Sequence, residues 1–356
     1  MFAKMYRPAL TARGGAQMLP SDSTGKPGAK ANPSRGLWGN QFVHALATAR
    51  WRCALLRVAI AWRAVANEIW RIPRPDGKFP QVPEHNGGGF GMVVTRQATR
   101  LGMRSALFTT IGEDPSGAML RKELMATGAD TTPVRVAPGP TTQAHVIVCN
   151  GNRAVLMDSG RGGAEWRPNG GDWRLMRKVE AICIGGSLPD EVFAETCMQA
   201  RCMGKPVFAN PTGLADISNL DLRGCLLLQV SRSDAANFGM GTRAPAAALA
   251  DALLKRGPAV VVVTASSGGA RAFDQGGHCL WMPAVPGRKA LFPTGCGDAH
   301  FAGALAGYLG GLTLDDWMNL ASLSAAWFLE RGRVGSWIEL MQLARTWPPQ
   351  KRLNDG

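Results

Sequence analysis

PTGCGDAHFAGALAGYLG, residues 293–310, reads as a turn that feeds a helix. Pro293, Thr294 and Gly295 suit the turn, and small and apolar residues at helical spacing continue from Ala299 to Leu309. Gly295, Cys296 and Gly297 set backbone N–H groups at a helix N-terminus. There, donors outside the helical ladder and the helix dipole both favour an anion such as a phosphate. Asp298 stands at that anion site and admits two readings. A first-turn carboxylate can simply complement the dipole, worth about 0.3–1 kcal/mol. It can also take a proton from a substrate hydroxyl while the amides hold the charge that builds on a transferred phosphoryl group.

Outward from this stretch, short apolar runs alternate with helical patterns. VEAICIGG (179–186), KPVFAN (205–210), GCLLLQV (224–230) and PAVVVVTA (258–265) are each followed by a helix or a turn. That alternation predicts a parallel sheet covered on both faces, with ligands beyond the carboxyl ends of the strands. Upstream, ALLRVAIA and EIWRI (68–72) are candidate strands, PRPDGK (73–78) is turn chemistry after them, and GGGFGMVVTRQATRLG (87–102) runs from glycines into a helix. SALFTTIG is a strand, PSGAMLRKELMATG (115–128) a helix, and HVIVCNGNRAVLMD a hairpin turning at Asn150 and Gly151. LDDWMNLASLSAAWFLERG and SWIELMQLARTW are core or covering helices. Neither an internal repeat nor a second composition regime follows residue 53.

The 356 residues are 46% hydrophobic and 19% charged, which excludes a wholly disordered chain and allows a large core. The formal charge of +14 is uneven: residues 1–63 hold three Lys and seven Arg against Asp22 alone. The remaining body is only mildly basic, which suits phosphorylated ligands without requiring nucleic acid. Residues 1–52 lack a sustained period and read as a flexible basic extension, an upstream segment or an Arg-rich organelle leader. No aromatic residues are interleaved among its charges at a regular spacing, so a nucleic-acid arm is the weakest reading. The eight cysteines are scattered and no His pair has ligand spacing, which points to reduced thiols in the cytoplasm and no metal cage. No apolar run reaches 18 residues, so a membrane span is not expected.

PTGCGDA resembles the C-terminal signature of the ribokinase-like (PfkB) carbohydrate kinases. In chain order, GGGFGMVVTRQATRLG resembles that family's N-terminal glycine motif and TIGEDPSGAMLRKELMATGAD the strand and helix after it. IGGSLPDEVF resembles the central turn common among its sugar kinases, VSRSDAA the N-x-x-E region, and VVTASSGGA the T-x-G-x-x-G segment. The resemblance covers roughly residues 54–345. It implies an α/β, three-layer sandwich with a mostly parallel central sheet, as one kinase domain over residues 53–346. A small β lid is expected from strands near 67–84 and 132–158, and 347–356 form a tail. It further implies ATP with Mg²⁺, a sugar or nucleoside hydroxyl under the lid, Asp298 as base, and Gly295, Cys296 and Gly297 as anion hole. Gly88, Gly89, Asn67 and Val93 fall at substrate positions, and Ser231, Asp234, Thr264 and Gly269 on the nucleotide side.

The departures from the family pattern are specific. Phe292 replaces an Asp and cannot ligate a cation, so the monovalent ion that some relatives use is doubtful. Val93 replaces an Asn and loses a donor and an acceptor, while Asn67 replaces an Asp and keeps polarity without charge. Ser231 and Asp234 replace Asn and Glu; Asp234 still offers a carboxylate to Mg²⁺-bound water. Ser266 replaces a glycine and His300 an aromatic residue. The expected function is ATP-dependent phosphorylation of a small sugar or sugar-like alcohol. A nucleoside kinase of the same family and a non-catalytic descendant are the alternatives. A homodimer through the lid is also expected.

Overall fold

A computed structural model describes residues 37–53, 57–61, 65–72, 84–149, 152–158, 166–185, 188–211, 221–241, 244–285 and 291–346. Its main sheet has nine strands. The sheet begins with β1 (Arg57–Ala61), β4 (Arg104–Gly112) and β5 (Val134–Ala137), and continues with β8 (Ala181–Gly185), β9 (Val207–Asn210), β10 (Cys225–Ser231) and β11 (Val260–Thr264). These seven pair in parallel in the spatial order β11-β10-β9-β8-β1-β4-β5. The antiparallel strands β12 (Ala270–Asp274) and β13 (Cys279–Met282) extend the β11 edge.

The apolar runs become central strands because alternate side chains enter two different cores. Val58, Ile60, Val260 and Val262 join one cluster, and Ala59, Ala61, Val261 and Val263 join the other. The first layer contains helices α1 (Leu37–Cys53), α2 (Gly89–Arg100), α7 (Cys296–Leu309), α8 (Leu314–Arg331) and α9 (Trp337–Thr346), with α3 (Pro115–Thr127) at its margin. The second contains α4 (Gly170–Met176), α5 (Asp190–Cys202) and α6 (Ala246–Leu254). The expected three-layer α/β sandwich is therefore the fold.

A separate sheet of four strands forms the lid. It contains β2 (Val65–Ile72), β3 (Glu84–Gly88), β6 (Gln143–Cys149) and β7 (Asn152–Asp158), in the order β3-β2-β6-β7. Strand β2 runs antiparallel to β3 and parallel to β6, and β7 is antiparallel to β6. The turns at 73–78 and 150–151 lie outside the described residues.

Two expectations are corrected. The stretch 132–142 is not lid: β5 pairs with β4 at the end of the main sheet. Residues 37–52 are not a loose extension either, because they belong to α1, whose Leu46 and Ala49 are fully buried in the first core. A Cβ on Gly310 would lie 2.7 Å from the Ala49 Cβ, so this glycine sets how closely α1 docks. Residues 1–36 and 347–356 lie outside the described residues.

Candidate active site

The PTGCGD turn sits at the start of α7. Gly295 is its N-cap at φ +98° and ψ −7°, in the left-handed region where only glycine is at ease. The first backbone bond of the helix is donated by Ala299 N–H to Gly295 O, at 2.9 Å. The N–H groups of the turn before it lie outside the helical ladder. Nothing comes within 4 Å of where a Cβ on Gly297 would stand, so that backbone borders open space.

Facing this turn is the join of β3 and α2. Gly87 is pressed against α3, where a Cβ would come within 2.6 Å of Glu123 Oε2. Its N–H donates to Glu123 Oε2 at 2.9 Å, its carbonyl accepts from Arg96 Nη1 at 2.8 Å, and Arg96 and Glu123 pair directly. One ion pair thus holds the glycine backbone at both its donor and its acceptor. A cleft of about 190 Å³ opens between the lid and these two turns. Gly88, Gly89, Val93, Gly295 and Asp298 all line it, and Asp298 is half-buried. Five of the residues read from sequence as substrate or catalytic positions therefore meet in one cavity. Cys296 and Gly297 are next to it on the same turn, and Asn67 lies on β2 between Asn86 of β3 and Ala144 of β6.

Thr294 belongs to the quoted motif, yet its own role was not recognised there. Thr294 lines the cleft, while its hydroxyl is buried without a hydrogen-bond partner. A buried hydroxyl in that state costs about 1–3 kcal/mol.

The nucleotide-side residues lie at the carboxyl ends of β10 and β11. Ser231 and Thr264 are register partners across these strands, and Thr264 Oγ1 donates to Val230 O at 3.3 Å. Asp234 is buried, and its Oδ2 accepts from Ser231 N–H at 2.9 Å, closing a capping box on the short helix Arg232–Phe238. Gly269 (φ +79°) packs so closely that a Cβ would sit 2.2 Å from Met282 O. Ser266, where the family has glycine, carries a positive φ of 49°, so the loop keeps a conformation that this residue type rarely adopts.

A hydrogen-bond network ties the Gly295–Gly297 turn to these strand ends. From β10, Gln229 Nε2 donates to Gly297 O at 2.8 Å, and Gln229 Oε1 lies 2.9 Å from His300 Nδ1. Because the amide nitrogen faces a carbonyl, Oε1 must accept, and His300 Nδ1 carries the proton. Burial pushes the His300 pKa down to about 4, well below the ordinary value of about 6.5. As pH falls, the unfolded chain therefore protonates first. The stability held above about pH 6.5 is lost between there and about pH 4, on the order of 3 kcal/mol in all. Urea unfolding of the parent and His300→Phe at pH 7.5 and pH 5 should show the parent losing more stability over that interval. Equal losses would refute this assignment.

The remaining departure, Phe292, packs with Val93, Phe328 and Val334 in one apolar cluster. Asp114, which caps α3, has a structural task instead: burial draws its pKa up. Hydrogen bonds from Thr141 Oγ1, Gly117 N–H and Thr141 N–H outweigh that and hold it below the carboxylate norm. Among the described residues, no group of His, Cys, Asp and Glu could hold a metal by itself, and no helix is long and apolar enough to cross a membrane.

A three-layer α/β fold thus carries a lid sheet over a cleft lined by a helix-start carboxylate. The pfkB family carbohydrate kinase model matches residues 60–339, and the chain belongs to that family, a class of kinases that transfer a phosphoryl group to an alcohol. A fructoselysine 6-kinase of Shigella flexneri is 25% identical over 258 residues, spanning 70% of this chain and 91% of that protein. Among solved structures, a ribokinase of Arabidopsis thaliana complexed with ribose and ATP aligns at a TM-score of 0.71 and 19% identity. It covers 81% of this chain and 98% of its own. An adenosine kinase of Sinorhizobium meliloti aligns at 0.67 with 19% identity, covering 82% of this chain and 98% of its own.

Proposed function

We propose that this chain uses ATP to phosphorylate a hydroxyl of a small sugar or sugar-like alcohol, with Asp298 as general base. The observation that carries the reading is the meeting of Asp298 and Gly295 with Gly88 and Gly89 in one lid-covered cleft. The Asp298 carboxylate holds the proton of the attacking hydroxyl. The amides of Gly295, Cys296 and Gly297 face the charge that develops on the transferred group, and Gln229 keeps that turn in place through Gly297 O. Ser231, Thr264 and Gly269 border the nucleotide at the ends of β10 and β11. Mg²⁺ would neutralise phosphate charge when bound, and Asp234 would offer it a carboxylate through water. The lid excludes water, the competing acceptor.

ADP release with a panel of sugars and nucleosides tests the reading. Turnover with at least one sugar is expected, turnover with nucleosides alone favours the nucleoside reading, and nucleotide binding without turnover favours a non-catalytic descendant.

Two further readings have partial support. Cys149, Cys183, Cys197, Cys202 and Cys225 are free thiols, in keeping with a reducing cytoplasm. Detecting the protein only in an oxidising compartment would overturn that placement. Strand β7 is a lid edge that exposes Val155, Leu156 and Met157, which supports pairing of two lids into a homodimer. Sedimentation at the mass of one chain would overturn it.

A further inference from the structure

The cleft before Asp298 has two facing apolar walls. Ile69, Val146 and Val148 form the lid side, and Val93, Phe292 and Val334 the body side. On the body side these residues are one buried cluster with Phe328, and on the lid side Val146 and Ala144 are the buried centre against which Ile69 and Val148 pack. Val93 and Phe292 are far apart in sequence and each takes the place of a polar residue in the family pattern. Their packing together makes a continuous apolar surface, not two separate losses. The cleft's two arginines are committed to carboxylates, Arg96 to Glu123 and Arg333 to Glu339 at 2.6 Å. Thr294 and Asp298 stand on the α7 turn, at the phosphoryl end. Glu84 and Asn86 stand on β3 of the lid.

A polyol placed against these walls would lose water from several hydroxyls, each costing about 1–3 kcal/mol without a replacement partner. An apolar group in the same place gains about 25 cal/mol per Å² removed from water. The walls therefore reward carbon and penalise hydroxyls.

We infer that the site takes a sugar-like alcohol bearing an apolar alkyl or aryl substituent, which lies between Ile69 and Val148 of the lid and the Val93–Phe292 surface, in preference to the unsubstituted sugar. This rests on the kinase reading for the position of the reacting hydroxyl, whereas the preference itself is a property of binding.

The test pairs D-ribose with phenyl β-D-ribofuranoside and D-fructose with phenyl β-D-fructofuranoside. Binding is measured by calorimetry on the full chain with a non-hydrolysable ATP analogue, and turnover by ADP release. Each phenyl glycoside should bind at least tenfold more tightly than its parent sugar, with a more negative heat-capacity change. Val93→Asn should shrink that ratio at least tenfold. Should it fail to fold, Val93→Thr keeps the shape and adds a hydroxyl, and it should shrink the ratio in the same direction. Equal or tighter binding of the parent sugars, no binding of either phenyl glycoside, or an unchanged ratio in a folded Val93 variant would overturn the inference. Tight phenyl glycoside binding with no ADP release from any probe sinks the kinase reading and leaves this one standing. ADP release without preference does the reverse.

Discussion

Asp298→Asn should lower kcat by about 10²- to 10⁴-fold, the usual worth of a positioned general base, while the protein stays folded. The substitution keeps the size and planar shape of the side chain and removes its capacity to hold a proton. Asp298 lines the cleft on the first turn of α7, beside Gly295, so the loss falls on the chemical step. Its contribution to the helix dipole is only about 0.3–1 kcal/mol, so the melting temperature should move by no more than a few degrees. Steady-state ADP release with a melting curve separates the two roles. A folded variant that turns over at the parent rate would leave Asp298 as a helix-start residue only.

Gly295→Ala should damage both fold and activity. At φ +98° an L-residue is strained by about 1–2 kcal/mol, and its Cβ would lie 2.7 Å from the Phe328 ring. Phe328 is 8% exposed and packed in the Val93 cluster, so the ring cannot move aside without overpacking, at about 1–3 kcal/mol more. The melting temperature should drop by roughly 3–8 °C, and kcat should fall at least tenfold because the amides are re-aimed. Gly297→Ala is the control. Its φ is not positive and nothing lies within 4 Å of the new methyl, so stability should hold. Activity should still fall, because the methyl enters the space beside the anion turn. A stable, fully active Gly295→Ala protein would mean that this turn is not the anion site.

The helix at 296–309 and the four central strands could be read in advance because their signals are local. Val260–Thr264 is apolar on both faces and therefore must lie between two layers, whatever packs there. Gly295 and Asp298 could be singled out because a turn glycine and a first-turn carboxylate carry a local meaning, whereas Gly88 and Gly89 were singled out only through the resemblance of their motif to the family, and the structure brings all four to one cleft. Helix α1 was not legible. LWGNQFVHALATARWRC has no clean amphipathic period and no acidic residue in its first turn. A helix of that kind owes its stability to packing, here of Leu46 and Ala49 against the first core.

By itself, the amino-acid sequence determined the layered α/β architecture and the turn that starts a helix with Asp298 in its first turn, since each follows from periodicity or from what glycine permits. The tertiary structure alone decided that Arg96 and Glu123 clamp Gly87, that Gln229 links Gly297 to His300, and that Val93 meets Phe292 in one wall. The physical reason is separation along the chain. A hydrogen bond or an apolar contact between residues tens to hundreds of positions apart exists only once strand order and helix packing have brought them together, and no local pattern encodes that meeting.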